Sequence, residues 1–163
     1  MAIREIRVFG DPVLRTVCDP VTTIDDGVRA HVQDLLDTVD MEGRAGLAST
    51  QIGHTLRAFS LNIDGEISYI LNPEIIALEG EPVLTGEGCL SVPDLWFEVP
   101  RYPRATVRGI DLDGEPVEIS GEGLMAQALQ HECDHLDGKL YLSRLDRETR
   151  GEAMRQIRSS SWF

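Results

Sequence analysis

The chain has 163 residues, of which 42% are hydrophobic and 26% are charged, proportions typical of one globular domain. Its net charge of −13, from 28 Asp and Glu against 15 Lys and Arg, argues against a protein that binds nucleic acid through a basic surface. No apolar run is long enough to span a membrane, the first residues lack a signal-peptide pattern, and three cysteines do not suggest a disulfide framework. We therefore expect one cytoplasmic domain over residues 1–163, a monomer that binds neither a membrane nor specific DNA.

The first part of the chain predicts one helix followed by short strands. Apolar residues recur at helical spacing over residues 25–41, acidic residues favour the helix start, and Gly43 can end the helix. Asp64-Gly65 is a sequence that favours a tight hairpin turn. The predicted strands around and after this turn cover residues 57–63, 67–72 and 74–79.

The second part predicts more strands and then two helices. Residues 86–93 are rich in glycine and end at a proline, a pattern typical of a loop or a strand edge. Helical spacing returns over residues 122–136 and 146–158. Because short strands dominate the middle of the chain, the order of elements indicates an α+β fold. The predicted strands of this part cover residues 96–100, 104–112 and 117–119.

The segment from His131 to His135 has the sequence HExxH, which can supply two metal ligands and a general base. Residues four apart lie on one face of a helix, so both imidazoles can reach the same ion, with Glu132 beside them. The pattern also occurs by chance on ordinary helices, and zinc endopeptidases share it. The motif alone therefore indicates a metal site without defining the reaction.

A catalytic metal site needs a third protein ligand and one open coordination position. Cys89 is the best candidate, because neighbouring Gly88 allows a close approach of the backbone. The alternative is a buried thiol of the core. His31, expected on the polar side of the first helix, and His54, expected in a turn, are further candidates without supporting context. A non-catalytic, metal-stabilised binding module would need a fourth ligand, and no segment offers an obvious one.

Three segments together resemble the signature sequences of the peptide deformylase family. They occur in the family's order and at similar separations, and the stretches at residues 11–15 and 99–101 are also similar to that family. The resemblance thus covers nearly the whole chain. The three segments are Gly46-Leu47-Ala48-Ser49-Thr50-Gln51, Glu87-Gly88-Cys89-Leu90-Ser91 and Gln130-His131-Glu132-Cys133-Asp134-His135-Leu136.

The resemblance implies a metal-dependent enzyme that removes the N-formyl group from the initiator methionine of nascent chains. It implies antiparallel β-sheets packed around a central HExxH helix, with one helix near each end of the chain. Glu132 would act as general base and acid, while Gln51 and the backbone N–H of Leu90 would face the developing oxyanion. The implied ligands of one divalent ion are Cys89, His131 and His135.

The ion implied by the resemblance is Fe²⁺, with Zn²⁺ or Ni²⁺ as common substitutes in purified samples. Ligand type alone, one thiolate with two imidazoles, would instead indicate zinc. We expect iron in the cell. A ferrous ion beside an exposed thiolate is open to oxidation, so a purified sample can contain a different ion.

On the substrate side, the resemblance implies that Gly46 offers its backbone to the peptide. Leu90 and Leu129 are expected to line an apolar pocket for the methionine side chain, together with Leu124 and Ala128 of the same helix. Arg101 is also expected to contact the substrate.

The chain departs from the family pattern at Arg44, where a glycine is expected, and at Ser49, where an alanine is expected. Arg44 could alter the lip of the cleft, and Ser49 is small enough to be tolerated.

The last segment is locally basic on an acidic protein. One interpretation is contact with ribosomal RNA, where nascent chains emerge. The alternative is a solvated helix with pairs four residues apart, such as Arg144 with Glu148. Two terminal aromatic residues, Trp162 and Phe163, are expected to pack against the rest of the chain. The arginines of this segment are Arg144, Arg147, Arg150, Arg155 and Arg158.

Overall fold

The computed structural model describes residues 2–163, in which three α-helices occur. They are α1 (Asp26–Val39), α2 (Gly123–Leu136) and α3 (Arg147–Arg158). Asp25 caps α1 by accepting a hydrogen bond from the Val28 amide, and Asp146 caps α3 through the Thr149 amide. The three predicted helices are confirmed, and each begins and ends within two residues of its predicted bounds.

The strands form two antiparallel sheets. A five-stranded sheet has the order β1-β2-β3-β6-β7, and β4 pairs with β5 in a two-stranded sheet. The strands are β1 (Gly46–Ala48), β2 (Ala58–Ile63), β3 (Glu66–Glu79), β4 (Val83–Cys89), β5 (Val92–Arg101), β6 (Arg104–Ile110) and β7 (Pro116–Glu122).

Two strand predictions are wrong in detail. The predicted strands 67–72 and 74–79 are one strand, β3, which continues through Pro73. The pairing of β3 with β6 shifts between Leu71 and Glu74, and such a bulge tolerates a residue without an N–H donor. Asn72 has a φ of 52° at this bulge, and its side chain exchanges hydrogen bonds with the backbone of Val21.

The glycine-rich segment 86–93 is mostly strand rather than loop. It contains the end of β4, a tight turn at Leu90 and Ser91, and the start of β5. Cys89 is the last residue of β4 and pairs with Val92. This hairpin end is what holds the predicted third ligand against α2.

α2 lies between the sheets. One of its faces packs into a core with Phe59 of β2, Ile70 of β3 and Val107 of β6. α2 also contacts β5, whose buried Val99 packs with Tyr141 in a separate core cluster. The expected α+β fold around a central helix is therefore confirmed. Within residues 2–163, no helix has the length and apolar character needed to cross a membrane.

The terminal aromatic residues pack as expected. The Trp162 indole donates a hydrogen bond of 3.1 Å to the carbonyl of Pro93, at the start of β5. The ring of Phe163 lies 6.1 Å from that of Phe9, measured between centroids. The end of the chain thus covers the turn that follows Cys89.

Candidate metal centre and substrate cleft

The three predicted metal ligands converge. The Nε2 atoms of His131 and His135 are 3.1 Å apart, and the sulfur of Cys89 lies 3.4 Å from Nε2 of His135. The ligand atoms of the three residues all lie within 4.8 Å of one another. One divalent ion can therefore be held between the end of β4 and the C-terminal half of α2.

A buried carboxylate orients the first histidine. Glu87 accepts a hydrogen bond of 2.7 Å from Nδ1 of His131, which leaves Nε2 of that ring for an ion. Burial by itself raises the pKa of Glu87, but hydrogen bonds from Arg101 and His131 lower it to about 2. Glu87 is thus ionised, as a partner of a ligating imidazole should be.

The charges around the two imidazoles favour a cation between them. Burial lowers the pKa of His131, but the negative charges of Glu132 and Cys89 raise it well above its ordinary value. Burial and the positive charge on His131 lower the pKa of His135 well below its ordinary value. Without a metal, this site therefore stabilises one positive charge, which is the condition that a bound cation requires.

Glu132 lies beside the ligands with only 3% of its surface exposed. Its Oε1 atom is buried and makes no hydrogen bond within the described residues. Burial raises the pKa of Glu132 to about 7, so the carboxyl group can take up and release a proton near neutral pH. Gly46 of β1 makes room for it, because a Cβ atom at this position would lie 2.6 Å from Oε2 of Glu132.

Gln51 is fixed by its own turn. Its side-chain oxygen accepts a hydrogen bond of 3.0 Å from the amide of Ala48. The side-chain nitrogen then points towards the metal ligands, 3.2 Å from Oγ of Ser91 and 3.8 Å from the sulfur of Cys89. The orientation suits a donor that faces a developing negative charge. Leu90, half-buried, follows Cys89 at the mouth of the same site.

A cleft of about 790 Å³ opens from these residues to the surface. Its deep end is formed by Gly46, Gln51, Cys89, His131 and Glu132. Its walls are mainly apolar, which suits a hydrophobic side chain. The apolar wall residues are Met41, Leu90, Val92, Leu95, Trp96, Leu124 and Ala128.

Two predicted substrate contacts lie elsewhere. Leu129 is fully buried in the core, on the face of α2 turned away from the cleft, and is a packing residue. Arg101 is only 2% exposed and forms ion pairs with Glu87 and Asp134. Both predictions are wrong, because apolar periodicity and a local motif do not show which neighbours the fold supplies.

The prediction for His31 is also wrong. It is buried, not on a polar face, and its Nε2 lies 2.7 Å from Oγ of Ser49. Its ring packs against that of His54, with centroids 4.4 Å apart, and neither residue belongs to the cluster of metal ligands. Cys18 and Cys133 are buried in the core around α2.

One part of the cleft has no clear signal in the amino-acid sequence. Trp96 was not predicted, yet it lies across β4, where Cβ atoms at Gly86 and Gly88 would come within 2.5 and 2.8 Å of its ring. Arg44 lines the cleft lip, and its guanidinium donates a hydrogen bond of 2.6 Å to the carbonyl of Thr38. The one sequence signal for the position of Trp96 is the pair Gly86 and Gly88, two glycines that can face a large aromatic ring.

A thiolate and two imidazoles beside a buried carboxylate, at the end of an apolar cleft, define the class of metal-dependent hydrolases. Comparison with known proteins narrows that class. The family described as polypeptide deformylase matches residues 3–151. The chain belongs to the polypeptide deformylase family, whose members depend on a metal ion.

Individual relatives agree with this assignment. The chain is 46% identical to a peptide deformylase of Acidothermus cellulolyticus over 99% of its own length and 89% of the relative's. The solved peptide deformylase of Legionella pneumophila superposes with a TM-score of 0.90 at 41% identity, covering 96% of this chain and 94% of that one. A peptide deformylase of Ehrlichia chaffeensis, solved with actinonin, superposes with a TM-score of 0.90 at 30% identity over the full length of both chains.

Proposed function

We propose that this chain removes the N-formyl group from the N-terminal methionine of newly made polypeptides and releases formate. The convergence of Cys89, His131 and His135 beside Glu132, at the end of an apolar cleft, carries the proposal. Family membership supports it, because the relatives named above are peptide deformylases.

The three ligands fit one divalent metal ion, and we propose Fe²⁺ in the cell. The donor set of one thiolate and two neutral imidazoles suits several first-row ions, so the ion in a purified sample depends on availability. When bound, the ion supplies Lewis acidity for activation of water and polarisation of the formyl carbonyl.

Glu132 would move the protons of the reaction. Its carboxylate takes a proton from the attacking water as the oxygen bonds to the formyl carbon. It then gives that proton to the leaving amine nitrogen as the C–N bond breaks. Formate and a free N-terminal amine result. Burial raises the pKa of this carboxyl group, which strengthens it as a base.

Two donors would stabilise the charge that builds on the formyl oxygen. The side-chain nitrogen of Gln51 already points at the site, held by the hydrogen bond between its oxygen and the amide of Ala48. The backbone N–H of Leu90 is the second proposed donor. A preorganised donor of this kind contributes about 3 kcal/mol to transition-state stabilisation.

The apolar wall would hold the methionine side chain. Leu90, Leu124 and Ala128 of the predicted pocket all line the cleft, although Leu129 does not. Burial of a methionine side chain there would contribute about 1.5–3 kcal/mol to binding. Gly46 would offer its backbone to the peptide beside Glu132.

The direct experiment is formate release from a short N-formylmethionyl peptide. The protein is purified without oxygen and loaded with ferrous iron. We expect release that stops when a chelator removes the ion, and neither release nor retained metal from Cys89→Ala. A folded, fully loaded wild-type protein that releases no formate would refute the proposed function.

We further propose that α3 contacts ribosomal RNA. Arg155 pairs with Glu152 at the helix surface, whereas Arg147 and Arg158 are exposed and form no ion pair within the described residues. The predicted pair of Arg144 with Glu148 does not form, because Arg144 binds Asp134 instead. Co-sedimentation with ribosomes should weaken in the double variant Arg147→Glu, Arg158→Glu; unchanged co-sedimentation would refute the contact.

A further inference from the structure

A chain of ion pairs runs from the metal centre to the opposite side of α2. It consists of Glu87, Arg101, Asp134 and Arg144, and we call it the ion-pair chain. Glu87, which binds His131, accepts two hydrogen bonds from Arg101, of 2.8 and 2.6 Å. Arg101 also donates to Asp134 at 2.9 Å. Asp134 finally accepts two bonds from Arg144, of 2.6 and 2.7 Å.

The ion-pair chain joins the same elements that the metal ligands join. Glu87 lies on β4, two residues before Cys89, and Asp134 lies on α2, directly before His135. Arg101, at the end of β5, bridges the two carboxylates. The distance between β4 and α2 decides whether one ion can contact all three ligands. The ion-pair chain therefore links β4 to α2 beside the ligands, through Arg101 of β5.

Exposure differs sharply along the ion-pair chain. The side chains of Arg101, Glu87 and Asp134 are 2%, 3% and 9% exposed. The Arg144 side chain is 41% exposed and lines a cavity of about 250 Å³ with Tyr102 and Gln130. Arg144 is thus the surface end of a set of otherwise buried charges.

Arg144 also compensates the charge of Asp134. Glu87 has His131 as well as Arg101 as a partner, whereas Asp134 shares Arg101 and otherwise depends on Arg144. Without Arg144, Asp134 has only Arg101 as a charged partner, and Glu87 competes for the same guanidinium. Removal of one partner leaves a buried carboxylate with uncompensated charge, so Asp134 would compete more strongly for Arg101. Arg101 would then hold Glu87, and through it His131, less firmly.

We propose that Arg144 is a positioning residue for the metal ligand His131, acting through Asp134, Arg101 and Glu87. This inference rests on the proposed function, since it assumes that His131 binds the metal. Partners outside the ligand shell typically change metal affinity about 10- to 100-fold. Arg144 lies three ion pairs beyond Glu87 and is partly exposed, so a smaller effect is expected.

The test compares Arg144→Gln with Arg150→Gln in cobalt-loaded protein. Arg150 is the matched control. It donates to the carbonyls of Leu142 and Ser143, in the turn that contains Arg144, but has no contact with the ion-pair chain. The readouts are the rate of cobalt transfer to excess chelator and the cobalt–thiolate absorption. We expect Arg144→Gln to lose cobalt about 3- to 10-fold faster than wild type, and Arg150→Gln to match wild type.

Two further measurements separate positioning from general stability. Arg144→Lys keeps the charge but loses the forked contact with Asp134, so its cobalt loss should be intermediate. In the iron-loaded enzyme, Arg144→Gln should lower kcat while KM for the formyl peptide stays unchanged. Equal metal loss from Arg144→Gln and Arg150→Gln would overturn the inference and leave the proposed function standing. Wild-type protein that binds no metal would overturn both.

Discussion

Replacement of Gly46 by alanine should lower kcat while the protein still folds. A Cβ atom at this position would lie 2.6 Å from Oε2 of Glu132 and 3.0 Å from both its Cδ and Cγ atoms. An ordinary contact is at least 3.4 Å, so the carboxylate must retreat by about 0.8 Å, the difference from 2.6 Å. The glutamate side chain can make that movement, and the strand geometry of Gly46 accepts an alanine. The protein should therefore fold and keep its metal.

The rate of turnover should fall in this variant. A misplacement of about 1 Å of a catalytic group costs on the order of 100-fold in rate, so kcat of Gly46→Ala should drop about 100-fold. The assay is formate release at saturating formyl peptide, with metal content measured on the same sample. Gly151→Ala in α3 is the control, because its Cβ would meet nothing closer than 3.8 Å. Near-wild-type kcat in Gly46→Ala would refute the claim that Gly46 makes room for the base.

Two further predictions concern thiols and acid stability. Burial raises the pKa of Cys18 to about 11 and that of Cys133 to about 12, so both stay unreactive thiols at pH about 8. A disulfide reagent at that pH should therefore modify one thiol, Cys89, in metal-free protein and none in metal-loaded protein. Fast modification of two thiols would contradict this. Burial is the main cause, and the charge of His54 the second, of a pKa for His31 that is lowered from 6.5 to about 4. Below pH about 6.5, His31 therefore binds a proton in the unfolded chain but stays neutral in the folded protein. Between about pH 7 and about pH 5 the free energy of unfolding should fall by about 2 kcal/mol through His31, and urea titrations of His31→Gln should lack this part of the fall.

The helices could be predicted closely because their signals are local. The HExxH spacing and the apolar periodicity of α2 lie within one segment, and Asp25 and Asp146 cap their own helices. The continuous strand through Pro73 could not be predicted, because the bulge that tolerates the proline depends on pairing with β6. A glycine is equally ambiguous in sequence. Gly86 suggests a loop, but it lies in a strand where the ring of Trp96 leaves no room for a Cβ atom.

The metal ligands could be predicted because three separate motifs supply them. The surroundings of the ligands could not, because they depend on pairs far apart in sequence. Arg101 was expected at the substrate but contacts Glu87, 14 residues earlier, and Asp134, 33 residues later. Leu129 and Ala128 are adjacent apolar residues of one helix, yet only Ala128 lines the cleft. Tertiary packing alone decides which side of α2 faces the substrate.

The most direct test of the proposed mechanism is the turnover of Glu132→Ala, measured together with its metal content. Glu132 is not one of the three ligands, so this variant should retain a full equivalent of metal through Cys89, His131 and His135. It should lose at least about 100-fold in formate release, because Glu132 is the group proposed to carry the proton from water to the leaving amine. Near-normal turnover in the fully loaded variant would contradict the assignment of Glu132 as the base.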